Sequence, residues 1–255
     1  MSSSGITVND RHGVRSVLLN RPDKKNALTV AMYAALADAV TSAADDGIGA
    51  LLISAAGDTF TAGNDLRDFL DYPPHGEDAP VFRFLFGILD TDVPIVAAVR
   101  GAAIGIGTTM LLHADVVYAA PSARFKVPFV DLGIVPEAGS SVLLQRRIGR
   151  ARAGAALYLG EAIGAEQAYA DGIVTKIVAD HELDAAAEDA ARAIAAKPRE
   201  SVRATKRLLN FDRDDVRAAM RREGAAFKER LGSDEARAAM SAFFQRGAAP
   251  AALSP

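Results

Sequence analysis

Two glycine-rich turns and one carboxylate are the residues of this 255-residue chain best placed to do chemistry. In FTAGNDL (60–66) a glycine stands where a strand can end and a helix begin. Such a turn exposes backbone N–H groups at the positive end of a helix, a setting that suits an anion. Taken alone, it reads first as an ordinary strand-to-helix turn with Asp65 as the cap. GAAIGIG (101–107) repeats the arrangement after the next strand. Its glycines lack the spacing of a dinucleotide-binding turn and no acidic residue follows at the required distance, which excludes that use. Small residues there also permit close helix–strand packing. Two such turns after successive parallel strands can bring two N–H donors together, and a converging pair of donors is an oxyanion hole. The carboxylate is Glu137, in PFVDLGIVPEAGSS (128–141). It can be a favourable charge at a helix N-terminus, worth roughly 0.3–1 kcal/mol. It can also be a general base, desolvated by Phe125, Phe129, Leu132, Ile134 and Val135 until its pKa rises into a useful range. The residues alone leave both readings open.

Composition removes most other chemistries. There is no cysteine, which excludes disulfides, thiolate nucleophiles and Cys-ligated zinc. The four histidines (His12, His75, His113, His181) show no metal-ligand spacing, so no metal site is expected. His113, at the end of an apolar helix, reads as structural. Ser140-Ser141 is not a hydrolase elbow, because no G-x-S-x-G occurs there. Arg146, Arg147, Arg150 and Arg152 read as a solvated helix face in preference to a phosphate site. With 29 basic and 32 acidic side chains, the net charge of −3 gives no reason to expect nucleic acid. The opening MSSSGITVNDRHG lacks the apolar core of a signal peptide. The longest apolar run, Gly101 to Ala114, is short of the roughly 20 residues a membrane span needs. A soluble, cytoplasmic protein is expected.

The elements that must hold these residues alternate in the first half. Residues 6–8 and 14–19 read as strands about a turn, and Thr29 as the N-cap of a helix running to about Ala44. Residues 48–57, 94–101 and 114–120 read as buried strands, 82–90 and 105–113 as helices, and 71–80 as a loop, with a short helix after Asn64. Strands separated by helices imply parallel pairing. Beyond residue 138 the pattern is nearly all helix (184–196, 199–209, 213–230, 233–245), and 171–178 alone reads as strand. The expected class is α/β, with a core over 1–195 and a helical region over 196–255.

The sequence resembles the crotonase superfamily, or enoyl-CoA hydratase/isomerase family, from about residue 6 to residue 246. The likeness rests on LNRPDKKNALT (19–29), FTAGNDL, VRGAAIGIGTTMLLHADVVYA (99–119), PFVDLGIVPEAGSS and SAFFQR (241–246). Each motif is of moderate specificity; five in this order are highly specific. The resemblance implies a spiral of ββα units, a C-terminal helical region that forms trimers or dimers of trimers, and an acyl-CoA thioester ligand. It implies oxyanion donors at the N–H groups of Asn64 and Ile106, flanked by Gly63 and Gly105. It implies CoA contacts at Lys24, Lys25, Ala62 and Leu66, and at Phe243 and Arg246 of the C-terminal helix. Phe129 and Leu132 fall near the substrate. CoA is part of the substrate, and no separate cofactor is implied.

The departures from the family point to a reaction. The hydratases of this family use two glutamates, whose positions here are Thr109 and Phe129. Pro-Glu-Ala-Gly-Ser-Ser is similar instead to the segment carrying the single catalytic base of the Δ3,Δ2-enoyl-CoA isomerases, which implies that role for Glu137. The alternatives are an enoyl-CoA hydratase using Glu137 unconventionally, or a non-catalytic acyl-CoA- or RNA-binding member supported by the basic C-terminal helices.

Overall fold

The computed structural model describes residues 4–248 apart from Pro73 and His75; for Phe69 and residues 246–248 it describes the backbone alone. The chain runs through β1 (Ile6–Arg11), β2 (Val14–Leu19), α1 (Val30–Thr41), β3 (Ala50–Ala55), α2 (Leu66–Asp71) and α3 (Pro80–Asp90). Next come β4 (Ile95–Val99), β5 (Ala102–Ile104), α4 (Ile106–Thr109), β6 (Val116–Ala119) and β7 (Arg124–Lys126). The remainder is α5 (Ser140–Ile148), α6 (Arg150–Tyr158), β8 (Ile163–Gly164), α7 (Ala165–Ala170), β9 (Lys176–Ile177), α8 (Leu183–Ala195), α9 (Arg199–Leu209), α10 (Arg213–Leu231) and α11 (Asp234–Ala248).

Six strands form one sheet in the order β1-β2-β3-β4-β6-β9. The hairpin β1–β2 is antiparallel, and every later pairing in that sheet is parallel. The inner parallel strands β3 and β4 are apolar on both faces, as burial on both sides requires. Leu51, Ile53, Ala97 and Val99 join one cluster with α1 and α3. Leu52, Val96 and Ala98 face the other way, against Leu183, Ala187 and Ala191 of α8. Thr29 caps α1 as its sequence predicts, accepting a hydrogen bond from the Met32 N–H at 3.2 Å.

Three short strands went unread in the sequence. β5, β7 and β8 form a second sheet, in which β5 and β7 are parallel. Strands of two or three residues are too brief for alternation to show. As a result Ile163–Gly164 corrects the reading of residues 171–178 as the sole strand beyond residue 138. This small sheet carries the chain into the second glycine turn. The loop read at 71–80 is also shorter than expected, since α2 runs to Asp71 and α3 starts at Pro80, which sits at the helix N-terminus where its missing N–H costs nothing.

Candidate active site

The first turn is braced from below by a segment whose purpose its own sequence does not disclose. Asn26 is fully buried, with backbone in the left-handed region that asparagine tolerates. Its side-chain amide donates to the carbonyls of Ala56 and Thr59, each at 2.8 Å, and its own carbonyl accepts the Thr61 hydroxyl at 2.7 Å. The Lys25 carbonyl accepts the Ala62 N–H at 2.9 Å, and Gly63 and Asp65 bond to either side of Leu28. Asp65 caps α2 through the Asp68 N–H and pairs with Arg21 at 2.8 Å, so the capping role and the turn coexist. That ladder leaves the Asn64 N–H without an acceptor among the described residues. The Asn64 side chain is held instead, its Oδ1 accepting the hydroxyl of fully buried Tyr33 at 2.5 Å.

The second turn abuts the first. Thr61 and Ala103 form a parallel bridge, and a Cβ on Gly63 would lie 2.9 Å from the Ile104 carbonyl oxygen. A Cβ on Gly107 would lie 2.5 Å from Thr61 Cγ2. A larger residue at 63 would have to move backbone, and one at 107 would have to displace the Thr61 side chain. Ile106 opens α4 after Gly105, and its N–H likewise has no acceptor among the described residues.

Glu137 reaches this place from the far side. Thr109, fully buried, donates its hydroxyl to Glu137 Oε1 at 2.5 Å. The turn after Glu137 takes Ala138 and Gly139 through positive φ (59° and 72°), a strained conformation for alanine. Three contacts hold it there. His113 Nε2, which must carry the hydrogen, donates to the Ala138 carbonyl at 2.7 Å. The Gly139 and Ser141 N–H groups donate to the Glu223 carboxylate at 2.6 and 2.9 Å. Glu223, on α10, thereby caps α5 across 84 residues of sequence. Burial pushes the Glu137 carboxyl up from the ordinary 4.5 to about 8; the Thr109 hydrogen bond opposes this and the Glu223 charge adds to it. Burial also drives His113 down to about 4, so it is neutral, as its structural reading expects.

Glu137 and Asn64 line one cavity with Val81, Phe82, Leu85, Phe86, Ala138, Met220 and Phe227. These apolar walls come from α3 and α10. Of the apolar residues expected around Glu137, Phe125, Phe129 and Ile134 are buried in the main core with Leu132 and Val135 packed against it; Phe129 comes within 4.0 Å of where a Cβ on Gly105 would sit, and neither Phe129 nor Leu132 lines the cavity. A larger cavity of about 620 Å³ shares Phe82, Phe86, Met220 and Phe227 and extends past Leu70 and Leu231. The predicted CoA residues gather beside the first turn. Lys24 and Lys25 lie in and just after a short 3-10 helix, Ala62 is exposed, and Leu66 opens α2. Phe243 is half-exposed on α11, edge-to-face with Phe244, which packs under Arg67 of α2. The Arg246 side chain lies outside the described residues. Among the described residues no His, Asp or Glu cluster could hold a metal, and no helix is long and apolar enough to cross a membrane.

Thr109, Tyr33, Asn26 and Glu223 were all missed as site residues. Only Thr109 left a signal, as the residue standing where the hydratases carry a glutamate.

The first turn, at Asn64, and a buried carboxylate share one apolar cavity, and the second turn abuts the first; together they make a site able to hold an oxyanion and move a proton beside it. The profile of the enoyl-CoA hydratase/isomerase family matches residues 9–250, and the chain belongs to that family, with its crotonase fold. It is 33% identical over 251 residues to enoyl-CoA delta isomerase 2 of Rattus norvegicus, covering 96% of this chain but 64% of the relative's length. It is 37% identical over 204 residues to a probable enoyl-CoA hydratase, EchA14, of Mycobacterium tuberculosis, covering 78% of each. Its backbone superposes on an enoyl-CoA hydratase/isomerase crystal structure from Pseudoalteromonas atlantica T6c with a TM-score of 0.91, at 44% identity and over 97% of this chain and 100% of the other.

Proposed function

We propose that this chain is an enoyl-CoA isomerase that converts Δ3-cis or Δ3-trans enoyl-CoA to the Δ2-trans isomer. The observation that carries the reading is a single carboxylate, Glu137, among the described residues lining the cavity it shares with Asn64. Hydration needs one group to activate water and another to deliver a proton to carbon. The two family positions for those groups hold Thr109 and Phe129, neither of which can do the work. A 1,3-proton shift needs one base. Glu137 takes a proton from C2 of the 3-enoyl thioester, leaving a dienolate, and returns it to C4. Both carbons must come within about 3 Å of the carboxylate. Charge that builds on the thioester oxygen is met by the N–H groups of Asn64 and Ile106. The shift is redox-neutral and consumes only the CoA ester, so it calls for no further cofactor. The isomerase-named rat relative supports the reading. Lys24, Lys25, Ala62, Leu66, Phe243 and Arg246 are the proposed CoA contacts. Assembly as a homotrimer would cover exposed Leu208 and Leu209 at the end of α9 and Phe211 just beyond it.

The test is turnover with two substrates. A 3-enoyl-CoA should gain the absorbance of a conjugated thioester, while crotonyl-CoA should keep it. Loss of crotonyl-CoA absorbance with no action on 3-enoyl-CoA would make the chain a hydratase, as the EchA14 likeness allows.

The same base sets a pH dependence. With Glu137 pushed up to about 8, most of it is protonated at neutral pH and cannot accept a proton. We expect kcat/KM for isomerisation to rise ~tenfold per pH unit up to about pH 8 and then level off. A profile flat from pH 6 to 9 would remove Glu137 from the rate equation.

A further inference from the structure

We propose that Thr109 is a positioning residue: it clamps Oε1 of Glu137, leaves Oε2 as the oxygen that carries the proton, and sets the base at a fixed distance from the Ile106 N–H. This rests on the isomerase reading. The geometry lies in one short stretch of helix. α4 begins at Ile106 and continues as a 3-10 helix from Met110 to His113. Helical side chains tilt toward the N-terminus, so a residue three positions on reaches back over the face that starts with Ile106.

Two adjacent threonines divide the work. Thr108 Oγ1 donates to the Ala103 carbonyl at 2.6 Å and accepts the Lys126 N–H at 3.1 Å, which bolts the helix to the small sheet. Thr109 makes no hydrogen bond to that sheet among the described residues and donates to Glu137. A buried threonine in a helix commonly returns its hydroxyl to a carbonyl one turn back. Thr109 does not; its hydroxyl is spent on the base. One turn further on, His113 holds the Ala138 carbonyl. The helix that starts with an oxyanion donor therefore grips the base twice, once at its carboxylate and once at its backbone. Oε2 of Glu137 has no hydrogen bond among the described residues, and Glu137 lines the cavity. One oxygen is tethered and the other is free to travel between C2 and C4. The titratable groups around Glu137 are Tyr33 from α1, His113 from the 3-10 helix and Glu223 from α10. None of them bonds to its carboxylate.

The experiment replaces Thr109 with valine, which keeps the shape and removes the hydroxyl, and with serine, which keeps the hydroxyl. Thr109→Ala serves if the valine variant does not fold. Isomerisation is followed from pH 6 to 10, and the 13C carboxyl signal that disappears in Glu137→Gln is titrated in parallel. For Thr109→Val, loss of positioning should lower kcat by ~10–100-fold. The rising limb and the carboxyl titration should both move to higher pH, because a bond that favours the ionised form is gone. Thr109→Ser should restore both. A valine variant with unchanged titration, or a kcat loss that serine does not rescue, would make Thr109 a packing residue and overturn the proposal. If wild type shows no isomerisation, the isomerase reading fails, yet the carboxyl titration still decides whether Thr109 clamps Glu137.

Discussion

Glutamine in place of Glu137 should lower isomerisation turnover by roughly 10³–10⁴-fold while making the folded chain more stable at neutral pH. The first effect follows from the count of bases. In the proposed 1,3-shift one carboxylate both removes and returns the proton, and glutamine can do neither, although its carbonyl oxygen can still accept the Thr109 hydroxyl. Binding of a CoA ester should persist, since the contacts proposed for CoA lie beside the first turn and not at Glu137. The second effect is a matter of linkage. In the unfolded chain the carboxyl ionises above about 4.5, its ordinary value, whereas the folded protein retains the proton until about pH 8. Raising the pH through that interval therefore favours the unfolded state. By pH 7 the cost is about 3 kcal/mol. For a chain of this size that corresponds to roughly 5–10 °C in Tm. Glutamine does not ionise and escapes the cost. The difference in Tm between Glu137→Gln and wild type should be near zero at pH 4.5, grow to about pH 8 and then hold steady. Thermal melts at several pH values check this. A variant that turns over normally, or a Tm difference that is the same at pH 5 and pH 8, would contradict the assignment of Glu137 as a buried base.

Sequence and structure agree where the determinants are local. Thr29 lies next to the helix it caps, and the apolar runs of β3 and β4 declare buried parallel strands by themselves. The two glycine turns were legible because a strand, a glycine and a helix start are read from neighbours. What failed to show is the long-range part. The apolar walls of the cavity beside Glu137 come from Phe82 and Phe86 of α3 and from Met220 and Phe227 of α10, all distant from it in sequence. Glu223, more than 80 residues downstream, looks like one more charge on an amphipathic helix until its carboxylate is seen capping α5. Asn26 resembles an ordinary turn asparagine; only the approach of Ala56 and Thr59 gives its amide a purpose. Thr109 shows the other kind of miss. Considered as a base it is poor, and that is correct, but chemistry is not the only use for a hydroxyl beside a carboxylate.

Gly63→Ala carries the second large expectation: a 10²–10³-fold loss of turnover, on the order of what removing one oxyanion donor costs, in a chain that still folds. Two physical facts combine at this residue. Its φ of +90° lies outside the conformations an L side chain adopts easily. The added methyl would also stand 2.9 Å from the Ile104 carbonyl oxygen, and backbone oxygen cannot rotate away as a side chain can. The strain amounts to about 1–3 kcal/mol. Relief requires the 60–66 turn to part from the strand that ends at Ile104. Gly63 is tied on both sides, its carbonyl accepting the Leu28 N–H at 2.8 Å and its N–H donating to Thr61 Oγ1 at 3.1 Å. The displacement must then pass to the next peptide, whose N–H is that of Asn64. Moving this donor by a fraction of an ångström should spoil the proposed oxyanion hole, which requires both N–H groups to meet the same oxygen. Glu137 sits on a different segment, so its carboxyl titration should stay in place. Loss of turnover with Glu137 titrating as in wild type separates a damaged oxyanion hole from a damaged base. Full activity in Gly63→Ala would mean that the Asn64 N–H takes no part in the reaction.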